Sequence, residues 1–305
     1  MQIVAGVLFA LGIIWADNLL AQIWGLVSPR AATPKFVRAI GRDPEGPVTI
    51  YVPGVLARGQ DQLSTAKGHR SVLDALTDWS SEVLLLNYAK QIFDPDLVKE
   101  ILAMKIMAEA EKRPVVVIGA SLGGCLASEV LVSLGGKQQK NKISLILLDA
   151  PAGKETLPAW NVILAKVVRF IPVFRGLILG FLPFPVAESG LPRNEEIQKG
   201  LPVDEVRTVA KRGLKGYTLR VLIEQLIYLV AFVPPWPTKL KAVTYISCEK
   251  GNVTVLQPQA KNIWRYWGID TQVVVVQTPH VATVQRPQAF IRVLADLFKD
   301  LRACI

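Results

Sequence analysis

VVVIGASLGGCLASEV, residues 115–130, opens with four β-branched apolar residues, turns through Gly119, Ser121, Gly123 and Gly124, and continues into a helix-forming segment. An unbroken apolar run of this length suits a strand covered on both faces. The G-x-S-x-G pattern of Gly119–Gly123 is weak alone, because glycine and serine are both common residues. Its position between a strand and a helix gives it weight. A sharp turn there lifts the Ser121 hydroxyl above the end of a sheet and aims a helix N-terminus at whatever atom reacts with it. Without chemistry, the same stretch is a glycine-rich turn with an incidental serine.

Outward from this stretch, short β-branched apolar runs recur at 48–52 (VTIYV), 82–88 (EVLLLNY), 143–149 (ISLILLD), 242–247 (AVTYIS) and 271–277 (TQVVVVQ). Between them lie segments with apolar residues at three- and four-residue spacing, such as 95–112 and 287–301. Alternating strands and helices predict an α/β fold: a mainly parallel, doubly wound sheet with helices on both faces. The rhythm breaks at 151–241, which offers no strand but two apolar, proline-studded stretches at 157–187 and 217–237. That interval carries 13 Lys and Arg against 7 Asp and Glu, +6 of the chain's net +10. It reads as a helical cap, packed on the core or, with its cations flanking apolar faces, touching lipid. The expected organisation is an N-terminal apolar helix over 1–30, core over 31–150, cap over 151–241 and core again over 242–305.

A serine hydroxyl is a poor nucleophile until a base removes its proton. The chain has two histidines. His280 follows the last strand and precedes the last helix, where a base reaches back over the sheet to Ser121, and the order serine first, histidine last is the one this type of site requires. His69 lies ahead of the nucleophile strand and reads as an exposed or helix-start residue.

From residue 46 to 301 the chain resembles the α/β-hydrolase superfamily. VTIYVPGVLARG resembles that family's third strand and oxyanion loop, VVVIGASLGGCLA its nucleophile elbow, and TPHVATVQRPQAF its histidine loop and final helix. The resemblance implies Ser121 as nucleophile, His280 as base, and the backbone N–H groups of Val55 and Leu122 as oxyanion donors, with the cap inserted after the sixth strand of the family's count. It also implies an acyl-enzyme route to ester, thioester or amide hydrolysis, without metal or cofactor. Two departures stand out. Pro53–Gly54 replaces the common His-Gly start of the oxyanion loop, and Gly251 falls where the family usually has its acid. Asp149, at the end of 143–149, is the expected replacement acid, with Glu249 or no carboxylate at all as the alternatives, and a triad that lacks its acid loses up to about 10⁴ in rate.

Composition bounds the partners. A chain of 305 residues, 51% hydrophobic, supports a large core and is not disordered. A mean hydropathy of +0.34 is high for a freely soluble protein. The positive charge fits an anionic surface, and with no zinc-ligand cluster, arginine-rich run or RNP-like motif, nucleic acid is not an expected partner. Cys125, Cys248 and Cys304 form neither a disulfide framework nor a C-x-x-C site.

The expected substrate is a hydrophobic small-molecule or lipid ester, with a membrane surface as partner. Residues 3–15 and 19–27 are apolar but separated by Asp17 and Asn18, and Arg30, Lys35, Arg38 and Arg42 follow. This reads as an anchor or interfacial helix that leaves the catalytic domain in the cytoplasm. A helix packed on a soluble cytoplasmic domain and a cleaved signal are the alternatives. A non-catalytic binding protein of the same fold and an acyltransferase using the same site are the alternative functions.

Overall fold

The computed structural model describes residues 2–27, 33–55, 58, 63, 71–88, 92–134, 142–171, 217–235, 243–249, 254–268, 271–277, 280 and 287–304. Its centre is a seven-stranded sheet ordered β1-β3-β2-β4-β5-β6-β7. The strands are β1 Lys35–Ile40, β2 Val48–Val52, β3 Glu82–Asn87, β4 Val115–Ala120, β5 Ile143–Leu148, β6 Val243–Cys248 and β7 Gln272–Val276. All pair in parallel except β1, which runs antiparallel to β3.

Each apolar run read as a strand is one. β1 was not anticipated, and its composition explains why: KFVRAI sits at the sheet edge with its side chains exposed or half-buried, and Lys35 and Arg38 interrupt the apolar pattern. Charged residues on an edge discourage pairing with another chain, and they also erase the signal that would announce a strand.

The helices are α1 Gln2–Val27, α2 Val72–Trp79, α3 Pro95–Ala110, α4 Leu122–Ser133, α5 Ala159–Arg169, α6 Leu219–Ala231, α7 Gln257–Arg265 and α8 Pro287–Cys304. Their starts follow local chemistry. Ser71 and Asp74 form a capping box at α2, and Asp94 accepts from the Asp96 and Leu97 N–H groups ahead of α3, with Pro95 in its first turn.

Side chains alternate across β4. Val115 and Val117 join a core with Leu102 of α3 and Leu126 of α4, while Val116 and Ile118 face Leu76 of α2 and Phe290 and Leu294 of α8. Two layers of helix therefore enclose the sheet, which is why its strands are apolar on both faces. Between β5 and β6 the described residues form a 3₁₀ turn at Lys154–Thr156 and helices α5 and α6. Residues 172–216 and 236–241 of the expected cap lie outside the described residues, as do His69 and Gly251.

α1 is one helix that passes through Asp17 without a break, and Val4, Leu8, Phe9, Leu11 and Trp15 on it are exposed. Among the described residues no helix is long and apolar enough to cross a membrane.

Candidate active site

Ser121 is the junction between β4 and α4. Its backbone lies at φ 49° and ψ −117°, a region that costs a non-glycine residue about 1–3 kcal/mol and persists only where the surroundings over-determine it. The neighbours supply that constraint. The Ser121 N–H donates to the Leu148 carbonyl at 2.8 Å, and the Gly124 N–H donates to the Ser121 carbonyl at 2.9 Å.

The glycines allow the close packing. A Cβ on Gly123 would lie 2.1 Å from the Val52 carbonyl oxygen, and one on Gly119 would lie 2.6 Å from the Gly124 Cα. Neither glycine has a positive φ. Both are needed for contact rather than for torsional freedom, because the start of α4 runs directly over the ends of β2 and β4.

Leu122 is the first residue of α4 and is fully buried. Its N–H belongs to the first turn, whose donors have no acceptor within the helix. Val55 follows Pro53–Gly54 and packs, half-buried, against the same core. The Tyr88 hydroxyl donates to the Pro53 carbonyl at 2.6 Å, fixing the loop that presents Val55. Burial, with Tyr217 and Tyr51 nearby, pushes the Tyr88 phenol well above its usual range, so it remains a donor.

Asp149 stands to β5 as Ser121 stands to β4. It too has φ 49°, and its N–H donates to the Ile246 carbonyl at 2.9 Å. Its side chain is fully buried, a position a carboxylate tolerates only with donors around it. Nδ1 of His280 donates to one oxygen. The other accepts from Nε2 of Gln257 and from the Cys248 N–H at 3.4 Å. With Nδ1 committed to Asp149, Nε2 is the basic nitrogen of a neutral His280 ring. The His280 side chain is 15% exposed.

The structure thus brings His280 to Asp149. Glu249, the other carboxylate considered, pairs with Lys261 Nζ at 2.7 Å and lies 3.3 Å from the Ser247 hydroxyl. Among the described residues no hydrogen bond joins the Ser121 hydroxyl to His280. Such bonds commonly tighten only when substrate is bound.

Gln257, at the start of α7, is the residue the sequence did not reveal. Its Oε1 accepts from the Ser247 hydroxyl at 2.7 Å and from the Tyr245 hydroxyl at 3.1 Å. Two hydroxyl donors on the carbonyl end orient the amide so that Nε2 points at Asp149. Burial and the Asp149 charge raise the Tyr245 phenol, which keeps its proton and stays a donor. Pro258 beside Gln257 signals a helix start, but nothing in the local sequence points to Asp149. Tyr88 was likewise missed; its only signal is an aromatic residue at a strand end.

Among the described residues no group of His, Cys, Asp and Glu could hold a metal. Cys125 is buried, its thiol donates to the Pro151 carbonyl at 3.4 Å, and burial raises it well above the usual thiol range. It lies on the buried face of α4 and is no rival nucleophile.

The profile of the alpha/beta hydrolase family matches residues 15–293. Among solved structures, an esterase from Thermogutta terrifontis is similar at TM-score 0.60 and 14% identity, over 88% of this chain and 93% of its own. An esterase from Exiguobacterium antarcticum gives 0.58 and 13%, over 87% and 95%. A bacterial membrane phospholipase A gives 0.57 and 17%, over 99% and 97%. At such identities the likeness is one of fold. No curated protein matches the chain.

Proposed function

The chain belongs to the alpha/beta hydrolase family, and we propose that within it the protein is a serine hydrolase that cleaves a hydrophobic carboxylic ester through an acyl-enzyme. The observation that carries this reading is a juxtaposition at the ends of two paired strands. Ser121 is held at φ 49° after β4, and after β5 a buried Asp149 carboxylate accepts from Nδ1 of His280.

In this reading Ser121 Oγ attacks the ester carbonyl carbon while Nε2 of His280 takes its proton. The carbonyl oxygen becomes an oxyanion, stabilised by the N–H groups of Leu122 and Val55; such donors are worth about 3–4 kcal/mol each. Asp149 stabilises the imidazolium and fixes its tautomer. The tetrahedral intermediate collapses, the alcohol leaves with the proton from Nε2, and the acyl group stays on Ser121. Water then attacks the acyl-enzyme, giving its proton to His280, and the acid is released. Gln257 is a positioning residue, holding the Asp149 carboxylate while Ser247 and Tyr245 hold its amide. The esterases and the phospholipase among proteins of like fold accord with an ester substrate, and the apolar cap favours a hydrophobic acyl group.

The test is labelling with a fluorophosphonate together with turnover of a p-nitrophenyl acyl ester. The expected result is stoichiometric labelling that Ser121→Ala abolishes, with esterase activity falling about 10⁴-fold or more. Labelling that survives Ser121→Ala, or folded protein that neither labels nor turns over ester, would overturn the reading.

A further inference from the structure

Helix α5 is amphipathic in an unusual sense. Ala165 and Val168 point inward, and Val168 packs on Ile223 of α6. On the opposite side Trp160, Ile163, Leu164, Val167 and Phe170 are all exposed, Trp160 at 65% and Ile163 at 63%. At 100° per residue these five span an arc of roughly 120°. A helix normally turns such a stripe toward a core. On the same 100° wheel Lys166 lies roughly 40° beyond one border of the arc and Arg169 roughly 60° further round toward Ala165, and among the described residues neither has an ion-pair partner.

Those two cations also line a cavity of about 460 Å³ between α5, α6 and the Gly153–Glu155 turn. Lys154 faces the same cavity, Ile227 and Phe232 contribute apolar surface, and the acid there, Glu155, lies 3.9 Å from Lys154. Ser121, Asp149 and His280 are not among its walls.

We propose that this face of α5 docks on an anionic phospholipid bilayer. The apolar arc enters the acyl boundary with Trp160 at the headgroup level, while Lys166 and Arg169, with Lys154 behind them, bind lipid phosphate at the cavity. The pattern selects this occupant. A partner must offer a continuous apolar surface under the arc and a dense negative layer along one edge, and a bilayer carrying anionic headgroups has both. Aromatic residues prefer that boundary, and cations beside an interfacial helix add to binding through anionic lipid. The exposed apolar α1 gives the chain a second element suited to lipid. The inference does not depend on Ser121 being a nucleophile.

The test uses the full chain with Cys304→Ser and an environment-sensitive fluorophore on Ile163→Cys. Vesicles of phosphatidylcholine, with and without phosphatidylglycerol, are added. The expected result is a blue shift at position 163 that needs far less lipid when phosphatidylglycerol is present. Lys166→Gln with Arg169→Gln should raise the lipid concentration at half-effect on the order of 30-fold, about fivefold per cation. The same fluorophore on Met104→Cys, exposed on α3, should not respond.

Three outcomes overturn the proposal. Protein that sediments with vesicles while position 163 is unchanged places membrane contact on α1. A probe at 163 that is already blue without lipid means residues 172–216 or another copy of the chain cover the face. Equal response at 104 and 163 means unspecific adsorption.

Discussion

At the ends of β4 and β5, Ser121 and Asp149 hold left-handed backbone, and the bonds that hold them come from distant parts of the chain: Leu148 to Ser121, Ile246 to the Asp149 N–H, and Gln257 and His280 to the Asp149 carboxylate. The outer face of α5 differs in each respect. Its backbone is regular helix, and five large apolar side chains face away from the protein. Strain survives at the first place because tertiary contacts outnumber the ways to relax it. Apolar exposure at the second contributes nothing to internal packing, so that face is free to serve an external surface. Removing a group should therefore be costly at the ends of β4 and β5 and nearly silent on α5.

After Ser121→Ala, the largest effect is expected from Asp149→Asn. An amide cannot support the imidazolium and disturbs the His280 tautomer, so kcat should fall by about 10³–10⁴-fold with KM little changed, as measured by steady-state ester hydrolysis. Next is Gly123→Ala. The added methyl meets the Val52 carbonyl oxygen at 2.1 Å, and because that contact is with backbone, a loss of about 3 kcal/mol or more is expected in thermal or urea unfolding.

Gln257→Leu removes one donor from a buried carboxylate and takes an acceptor from the Tyr245 and Ser247 hydroxyls, of which Ser247 keeps Glu249 at 3.3 Å. A drop of about 10–100-fold in kcat is expected. Gln257→Glu separates positioning from mere packing. Its added negative charge stabilises the protonated His280 ring, so the acidic limb of the kcat/KM pH profile should move to higher pH. A limb that stays in place would argue against a link from Gln257 through Asp149 to His280. The smallest effect is expected from Trp160→Ser with Ile163→Ser on α5, within about 0.5 kcal/mol per site in unfolding. A large loss there would mean the face is internal packing after all, and the contrast with the ends of β4 and β5 would fail.

The two helices between β5 and β6 sharpen the point. α5 and α6 have similar apolar content in the sequence, yet α6 is seated firmly. Phe93 donates its N–H to Glu224 at 2.8 Å, Arg220 pairs with Glu224 at 2.7 Å, and Tyr228 and Phe232 continue a run of aromatic contacts from Phe93 to Trp264. Periodicity alone gave both helices an apolar stripe. It did not say that one stripe would meet the core and the other would not.

The elbow was legible in the sequence because its residues are consecutive. Glycines two residues either side of Ser121, a β-branched run before it and a helix after it all fall within one short window of sequence, although the atom Gly123 must clear, the Val52 carbonyl oxygen, is distant in the chain. The strand pattern was legible for the same reason, since burial on both faces demands uninterrupted apolar residues. Edge strand β1 was not, because an edge can be polar. The sequence favoured Asp149 over Glu249 and over no acid, but it could not fix the choice, since both carboxylates follow apolar strands. Tertiary structure decided where each carboxylate goes. Pairing of β5 with β6 sets Asp149 beside the start of α7 and the His280 loop, and Lys261 on α7 draws Glu249 away. Gln257 became visible only there, because its partner lies 108 residues away. Local sequence determines which segments can form a strand, a tight turn or a helix; only the packed sheet determines which of their ends meet.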